Sequence, residues 1–445
     1  MTSIQDSPIR LTRRHLMGLG AGAAAVTLAG CGGGKSAGQA AGASPAQSFS
    51  GKYEGPPVEL SYWNGFTGGD GPFMQQMVKD FQQENPNIKI KNNTVEWGQF
   101  YQRMPAAVTA GKGPDVGVMH MDQLATNAVR KIILPLDDVA TTLGLDENDF
   151  SPEVWKAGIF QEKRYGIPLD VHSIAMYWNA EAAEKAGVTE APADDAAFQA
   201  ALDKFKSNGE KNPFWMPTRW PAHLMFLSLI WQNGGEPYAG DGSSATFDSE
   251  EGVAALTWMV DQIQKGNSPK NVAQDSQYVA FKNKKNAVTW DGIWQINDLK
   301  SAKFDFGIAP IPKIGQEQLF WANSHNFFLS RQAGQDQNKS QAARVFIDWM
   351  SKKSGEWAGA GMIPARTSVR ESEAVTGSTQ APVAALTQNM RFLPPVPGLG
   401  DVQAQTLEVA VANATLGKQD PAAALKEAAQ KANALMEANR KKFGA

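Results

Sequence analysis

One cysteine in 445 residues removes several classes of chemistry at once. A lone thiol forms no intrachain disulfide and builds neither a cysteine-based zinc site nor an iron–sulfur cluster. Histidine is almost as scarce. The five, His15, His120, His172, His223 and His325, include no pair four residues apart that one helix face would present to zinc, and H-E-x-x-H does not occur. No metal, cofactor or catalytic motif is expected. An excess of positive charge is missing too: 42 Lys and Arg stand against 45 Asp and Glu, net −3, with no basic run to track a nucleic-acid backbone. Nucleic acid is not an expected partner. What is present is a globular composition, 42% hydrophobic and 20% charged, in a length that admits about three domains of roughly 150 residues. No internal repeat at a period of 20 to 50 residues is visible.

The N-terminus carries an address. Residues 10–31, RLTRRHLMGLGAGAAAVTLAGC, join a cationic start to a short apolar stretch and a small-residue site, an export signal too short to span a bilayer comfortably. Arg13 and Arg14 resemble a twin-arginine pair, with Leu16 where that motif usually prefers Phe; the general secretory route is the alternative. Leu28-Ala29-Gly30-Cys31 resembles a bacterial lipobox, which implies cleavage before Cys31 and its lipidation. A buried structural cysteine is the competing reading, but no periodic element surrounds it. Gly34-Lys35-Ser36 mimics the end of a phosphate-binding loop without the strand and helix that motif requires. The expectation is a signal at 1–30, a flexible lipidated tether at 31–56 reaching about 28 Å, and an extracytoplasmic body. Without residues 1–30 the chain has 39 basic and 44 acidic residues.

From Val58 the pattern becomes regular. Val58-Glu59-Leu60-Ser61-Tyr62-Trp63 alternates as a strand, the stretch from Phe73 to Gln83 has helical spacing, and Ile88-Lys89-Ile90 is a second strand. A helix over about 100–110 and a strand at Pro114 to Met119 follow, giving β-α-β-α-β, the signature of a parallel sheet with covering helices. Strands are predicted again at Tyr165 to Asp170, Ser173 to Asn179, Ala287 to Trp290, Phe306 to Ala309 and Phe327 to Leu329, with helices at about 194–207, 221–232 and 249–265.

Several local signatures then fall in one order: the lipobox; Tyr62-Trp63; Gly111-Lys112-Gly113-Pro114-Asp115-Val116; Tyr165-Gly166-Ile167-Pro168 ahead of Met176-Tyr177-Trp178-Asn179; Trp290-Asp291-Gly292-Ile293-Trp294; Gly307-Ile308-Ala309-Pro310-Ile311-Pro312; Gly361-Met362-Ile363-Pro364-Ala365-Arg366; and Leu416-Gly417-Lys418 before an Ala-rich helix. Over about residues 57–442 the chain resembles the carbohydrate class of solute-binding proteins of ABC importers, similar to the maltose- and glycerol-3-phosphate-binding proteins. The resemblance implies an α/β, two-lobed periplasmic-binding-protein-like fold, its ligand cleft between lobes joined by hinge crossings near Pro168 to Val171 and Ala322 to Asn326. Lobe one is expected at 57–169 plus 326–372, and lobe two at 170–325 plus 373–445. The implied partners are a small carbohydrate and the transmembrane permease subunits of the importer, with the receptor itself monomeric.

Thirteen tryptophans against seven tyrosines suit a ligand with apolar C–H faces and a polar rim. Candidate contacts are Trp63, Asn64 and Asp70 around the first strand's end, His120 and Asp122 at the third strand's end, and Asp170 and His172 at the first crossing. Trp290, Asp291 and Trp294 form the leading group, because a strand there runs through glycine into a helix start. His325 and Asn326 at the second crossing and Arg366 in a late loop complete the set, with Trp215, Trp220 and His223 as weaker candidates. For each the alternative is core packing or a structural hydrogen bond. Asp170 and Asp291 are also the carboxylates a secreted glycoside hydrolase would need, and a surface adhesin is a third class. Arg366 is the one permanent cation in the set, which favours a neutral sugar over a phosphorylated glycerol.

Overall fold

The computed structural model describes residues 49–302 and 305–444, so the export signal, Cys31 and most of the tether lie outside the described residues. Packing starts earlier than hydropathy suggests. Phe49 is buried and Tyr53 packs on the core; the Phe49 carbonyl accepts from Thr142 Oγ1 at 3.1 Å and the Tyr53 carbonyl from Asn87 Nδ2 at 3.3 Å. The tether's last residues therefore lie on the body, because two aromatic rings outweigh the Gly- and Pro-rich sequence around them.

The alternating first strand is β1 (Val58–Asn64), with Leu60 and Tyr62 buried. Helix α1 (Gly71–Glu84) buries Met74, Met77, Val78 and Phe81 on one face, the three-to-four spacing that marked it in the sequence. Strand β2 (Ile88–Thr94) then pairs in parallel with β1. Glu96 caps α2 (Trp97–Thr109) by accepting the N–H groups of Gly98 and Gln99, and that helix buries Phe100, Met104 and Val108. Strand β3 (Val116–His120) lies on the other side of β1 and runs straight into α3 (Met121–Val129). With β4 (Ile133–Leu134), β5 (Ile167–Pro168) and the later β10 (His325–Ser330) these form the first sheet, in the order β2-β1-β3-β10-β4, β5 pairing with β10.

The second sheet is centred on β6 (Asp170–Asn179), nine of whose ten residues are buried. Helix α4 (Ala222–Gln232) is buried on every side and α5 (Glu250–Gln264) packs along it. Strands β7 (Val288–Gly292), β8 (Phe306–Ala309) and β9 (Phe320–Asn323) all pair antiparallel with β6. A 3-10 turn at Ile293–Gln295 leads from β7 into α6 (Ile296–Ser301). After β10 (His325–Ser330) and α7 (Gln337–Lys352), β11 (Ile363–Pro364) joins β6 and β12 (Met390–Arg391) joins β9. The Asp420-capped α8 (Pro421–Phe443) packs against α5.

These two sheet groups are the cores of two lobes. The chain passes between them at Leu169 and at Ser324, and the passages lie side by side: Leu169 N–H donates to the His325 carbonyl at 2.8 Å, Asn326 lies opposite Pro168, and Asn323 lies opposite His172. The lobes also touch away from these passages. Gly69, in the loop before α1, has its Cβ position 2.7 Å from the backbone nitrogen of Asp298 and 3.2 Å from the Trp294 carbonyl. Asn297 Nδ2 donates to the Gly359 carbonyl at 2.9 Å.

Candidate functional site

Strand register assembles the junction. His120 ends β3 and His325 begins β10, and antiparallel pairing sets the two directly opposite each other. His172 stands two residues after Asp170 on β6, so the alternation of a strand puts both side chains on one face. The three imidazoles converge, with ring centroids 5.4 Å apart for His120 and His172, 4.8 Å for His120 and His325, and 4.1 Å for the stacked His172 and His325. One ring nitrogen from each lies within 4.8 Å of the others. No local spacing in the sequence foretells this. The expectation of no histidine grouping rested on helix periodicity, and the grouping is made by strand pairing.

Asp170, wholly buried, organises the cluster. Its carboxylate accepts His172 Nδ1 at 3.1 Å, the His325 backbone N–H at 3.1 Å, His325 Nδ1 at 2.9 Å and Trp357 Nε1 at 2.7 Å. Burial alone would raise its pKa, but the two histidines overcome that and hold the carboxyl well below the usual carboxylate range. Burial, with the neighbouring His325, pushes His172 down to about 4 and His120 well below its ordinary value. Tyr101 reaches the cluster from α2: its hydroxyl accepts the His120 backbone N–H at 3.0 Å and lies 2.5 Å from His120 Nδ1.

Aromatic rings wall the cluster. Trp97, four residues before Tyr101, stacks on His325 at 5.4 Å and sits 4.5 Å from His120. From the second lobe Trp294 lies 5.8 Å and Trp321 5.9 Å from His172. Sequence reasoning missed Trp97, Tyr101, Trp321 and Trp357. The first two were legible as an i, i+4 aromatic pair at the start of a helix; Trp321 and Trp357 had no local signal.

Asp122, at the start of α3, has Oδ1 buried without a hydrogen-bond partner. Burial raises its pKa to about 6, against the lowering effect of Asn323. Asp70 is buried near Asp170 and His325; it accepts the Gly68 N–H at 3.1 Å, and burial raises it to about 7.

The remaining candidates are not brought to this point. Trp63 donates from Nε1 to Ser61 Oγ at 3.1 Å and packs edge-on to Phe100. Asn64 donates to Asn92 Oδ1 on the neighbouring strand and accepts the Phe66 N–H, while Asn326 Nδ2 donates to the Ser324 carbonyl and Oγ and its Oδ1 is buried without a partner. Trp290 corrects the leading expectation. It is fully buried, stacked at 5.5 Å on Trp258 and packed on Phe198 and Phe214, because both faces of β7 are covered. Gly292 does permit a close approach, but by the Trp294 ring, 2.1 Å from its Cβ position. Asp291 is buried behind the strand, accepting Gln277 Nε2 at 2.9 Å and the Gly292 N–H at 2.7 Å; burial raises it to about 7. The Arg366 guanidinium turns to Ser351 Oγ at 3.2 Å. Trp220 and His223 meet at the start of α4, where His223 lies 3.6 Å from Glu408, while the indole N–H of Trp215 is buried without a partner.

Two lobes, chain crossings that run side by side between them and polar groups gathered with aromatics beside the crossings define a two-lobed binding protein. Residues 67–357 match the bacterial extracellular solute-binding protein family, and the chain belongs to it. A Brucella abortus protein named only as a binding protein is 25% identical over 386 residues, covering 82% of this chain and 90% of that one. The maltotriose-binding protein of Pyrococcus abyssi is 22% identical over 292 residues, 65% of this chain and 61% of its own. Among solved structures, the GacH receptor of Streptomyces glaucescens, studied unliganded and with acarbose, superposes with a TM-score of 0.75 at 22% identity, covering 87% of this chain and 98% of that one. Among the described residues no helix is long and apolar enough to cross a membrane.

Proposed function

We propose that this chain is the receptor of a sugar ABC importer: it captures a carbohydrate by closure of its lobes and delivers it to the membrane permease, tethered by lipid on Cys31 after export. The observation that carries the sugar reading is the gathering of partly exposed indoles at the junction, Trp97 beside His325 and His120 and Trp294 beside His172, with the unpartnered Oδ1 of Asp122 at the end of β3. Indole faces take C–H surfaces of a pyranose, and a buried carboxylate oxygen lacking a donor takes a hydroxyl. The name of one relative, a maltotriose-binding protein, and the acarbose complex of a structural neighbour support the same ligand class.

Lobe one comprises residues 57–169 plus 326–372 and lobe two 170–325 plus 373–445 in this reading, with the crossings as hinges. Binding needs no catalytic group, so Asp170 and Asp291 are assigned structural roles and the receptor works as a monomer without turnover. A phosphorylated glycerol is disfavoured, since Arg366 is the one permanent cation among the candidates.

The test is thermal unfolding against maltotriose, other oligosaccharides, polyols and glycerol 3-phosphate, with tryptophan fluorescence and ligand recovery measured in parallel. Ligand at about 100 times its Kd adds about 2.7 kcal/mol to the native state. A saturable shift with one sugar family, ligand recovered intact, is the expected result. A shift only with glycerol 3-phosphate, or consumption of the sugar, overturns it.

A further inference from the structure

We infer that His120, His172 and His325 form a binding site for a divalent transition-metal ion, Zn2+ foremost, at the junction of the two lobes. One ring nitrogen of each, Nδ1 or Nε2, already lies within 4.8 Å of the others. Tetrahedral zinc with Zn–N of about 2.05 Å sets its nitrogen ligands about 3.3 Å apart, so ring rotations of about an ångström complete the geometry.

Orientation is the stronger argument. Histidines that hold a metal through one ring nitrogen give the other N–H to a carboxylate, carbonyl or hydroxyl, which fixes tautomer and aim. All three rings are arranged in this way. Asp170 accepts Nδ1 of both His172 and His325, and the Tyr101 hydroxyl engages Nδ1 of His120. Each ring is left with Nε2, and because an imidazole's two nitrogens point apart, the Nε2 atoms of the stacked His172 and His325 face away from the carboxylate they share. His325 Nε2 is buried without a hydrogen-bond partner. Such an atom in a folded interior calls for an occupant, and a cation held by three imidazoles supplies one. The donor set selects the metal: three nitrogens suit zinc, copper, cobalt or nickel and not the oxygen-seeking calcium or magnesium. Three protein ligands leave a coordination position open.

Metal uptake is read out without a sugar, so it is tested without one. The purified full chain, stripped with a chelator, is titrated with Zn2+ alone at pH 7.4 against a competing chromophoric chelator, and the bound metal is examined by X-ray absorption. One Zn2+ per chain is expected, with nitrogen scatterers at about 2.0–2.1 Å carrying the imidazole signature. His120→Ala, chosen because His120 is the least buried of the three, is expected to weaken binding at least 100-fold. Tyr101→Phe removes only the orienting hydroxyl and is expected to weaken it about 10-fold, while His223→Ala leaves it unchanged. Absence of stoichiometric uptake, an oxygen-dominated spectrum, or affinity unaltered by His120→Ala overturns the site. Should His120→Ala fail to fold, unaltered affinity in Tyr101→Phe does so. Running the sugar panel in excess chelator separates failure of this site from failure of the receptor reading.

Discussion

The indole N–H of Trp357 donates to Asp170 Oδ2 at 2.7 Å, joining residues 187 positions apart and tying the chain that follows α7 to the first crossing. Both partners are fully buried, and the same carboxylate holds His172 and His325. Replacing Asp170 with Leu strands several donors at once. The expected cost is about 3–5 kcal/mol, the scale for breaking a buried charged network from one side. Trp357→Phe removes one donor and keeps most of the ring, so about 1–3 kcal/mol is expected. Urea unfolding midpoints decide this; an Asp170→Leu midpoint equal to the parent's would remove the hub role.

Trp290 and Trp294 should separate cleanly. Trp290 is enclosed by Trp258, Phe198 and Phe214, so Trp290→Ala is expected to destabilise by about 3–5 kcal/mol. Its sugar affinity, measured well below its melting temperature, should stay close to the parent's. Trp294→Ala should reverse the pattern, weakening sugar binding at least tenfold, about 1.4 kcal/mol, with a smaller change in stability. Equal sugar affinity in Trp294→Ala and the parent would count against the proposed platform.

How far the sequence reached follows from the same residues. Alternation at β1 and three-to-four spacing in α1 were legible because each element buries one face. Strand β7 is buried on both, so its pattern could not say which tryptophan faces the core. The family was legible through the order of many weak motifs. The histidine cluster was legible only as separate candidates, since the pairing of β3 with β10, and of β6 with β9 just ahead of β10, joins strands far apart in the chain. Strand β9 had no alternation to mark it: all four residues are buried.

Gly69 gives a test of closure. A methyl group there meets the Asp298 nitrogen at 2.7 Å and the Trp294 carbonyl at 3.2 Å, backbone atoms that cannot turn aside. Gly69→Ala is expected to hold the lobes apart without touching either core. Sugar affinity should fall about tenfold, and small-angle scattering with saturating sugar should give a larger radius of gyration than the parent's. Parent-like affinity would mean that this contact plays no part in binding.

Asp291 gives the pH dependence its sign. Burial raises its folded pKa to about 7 from an ordinary 3.8. Below pH 4 the carboxyl is protonated whether the chain is folded or not, and the folded state loses nothing. As pH climbs from 4 to 7 the unfolded chain releases this proton first, so the folded state loses stability, and above pH 7 the loss is constant. A gap of that size is worth about 4 kcal/mol. The neutral form also fits its surroundings, because Gln277 Oε1 is buried without a donor and turning that amide lets it accept from the protonated carboxyl. Asn imitates the protonated acid at every pH. Asp291→Asn is therefore expected to raise stability at pH 8 and leave it nearly unchanged at pH 4, read from urea midpoints at the two pH values. Destabilisation at pH 8 would mean that the carboxylate is held charged by groups stronger than its burial.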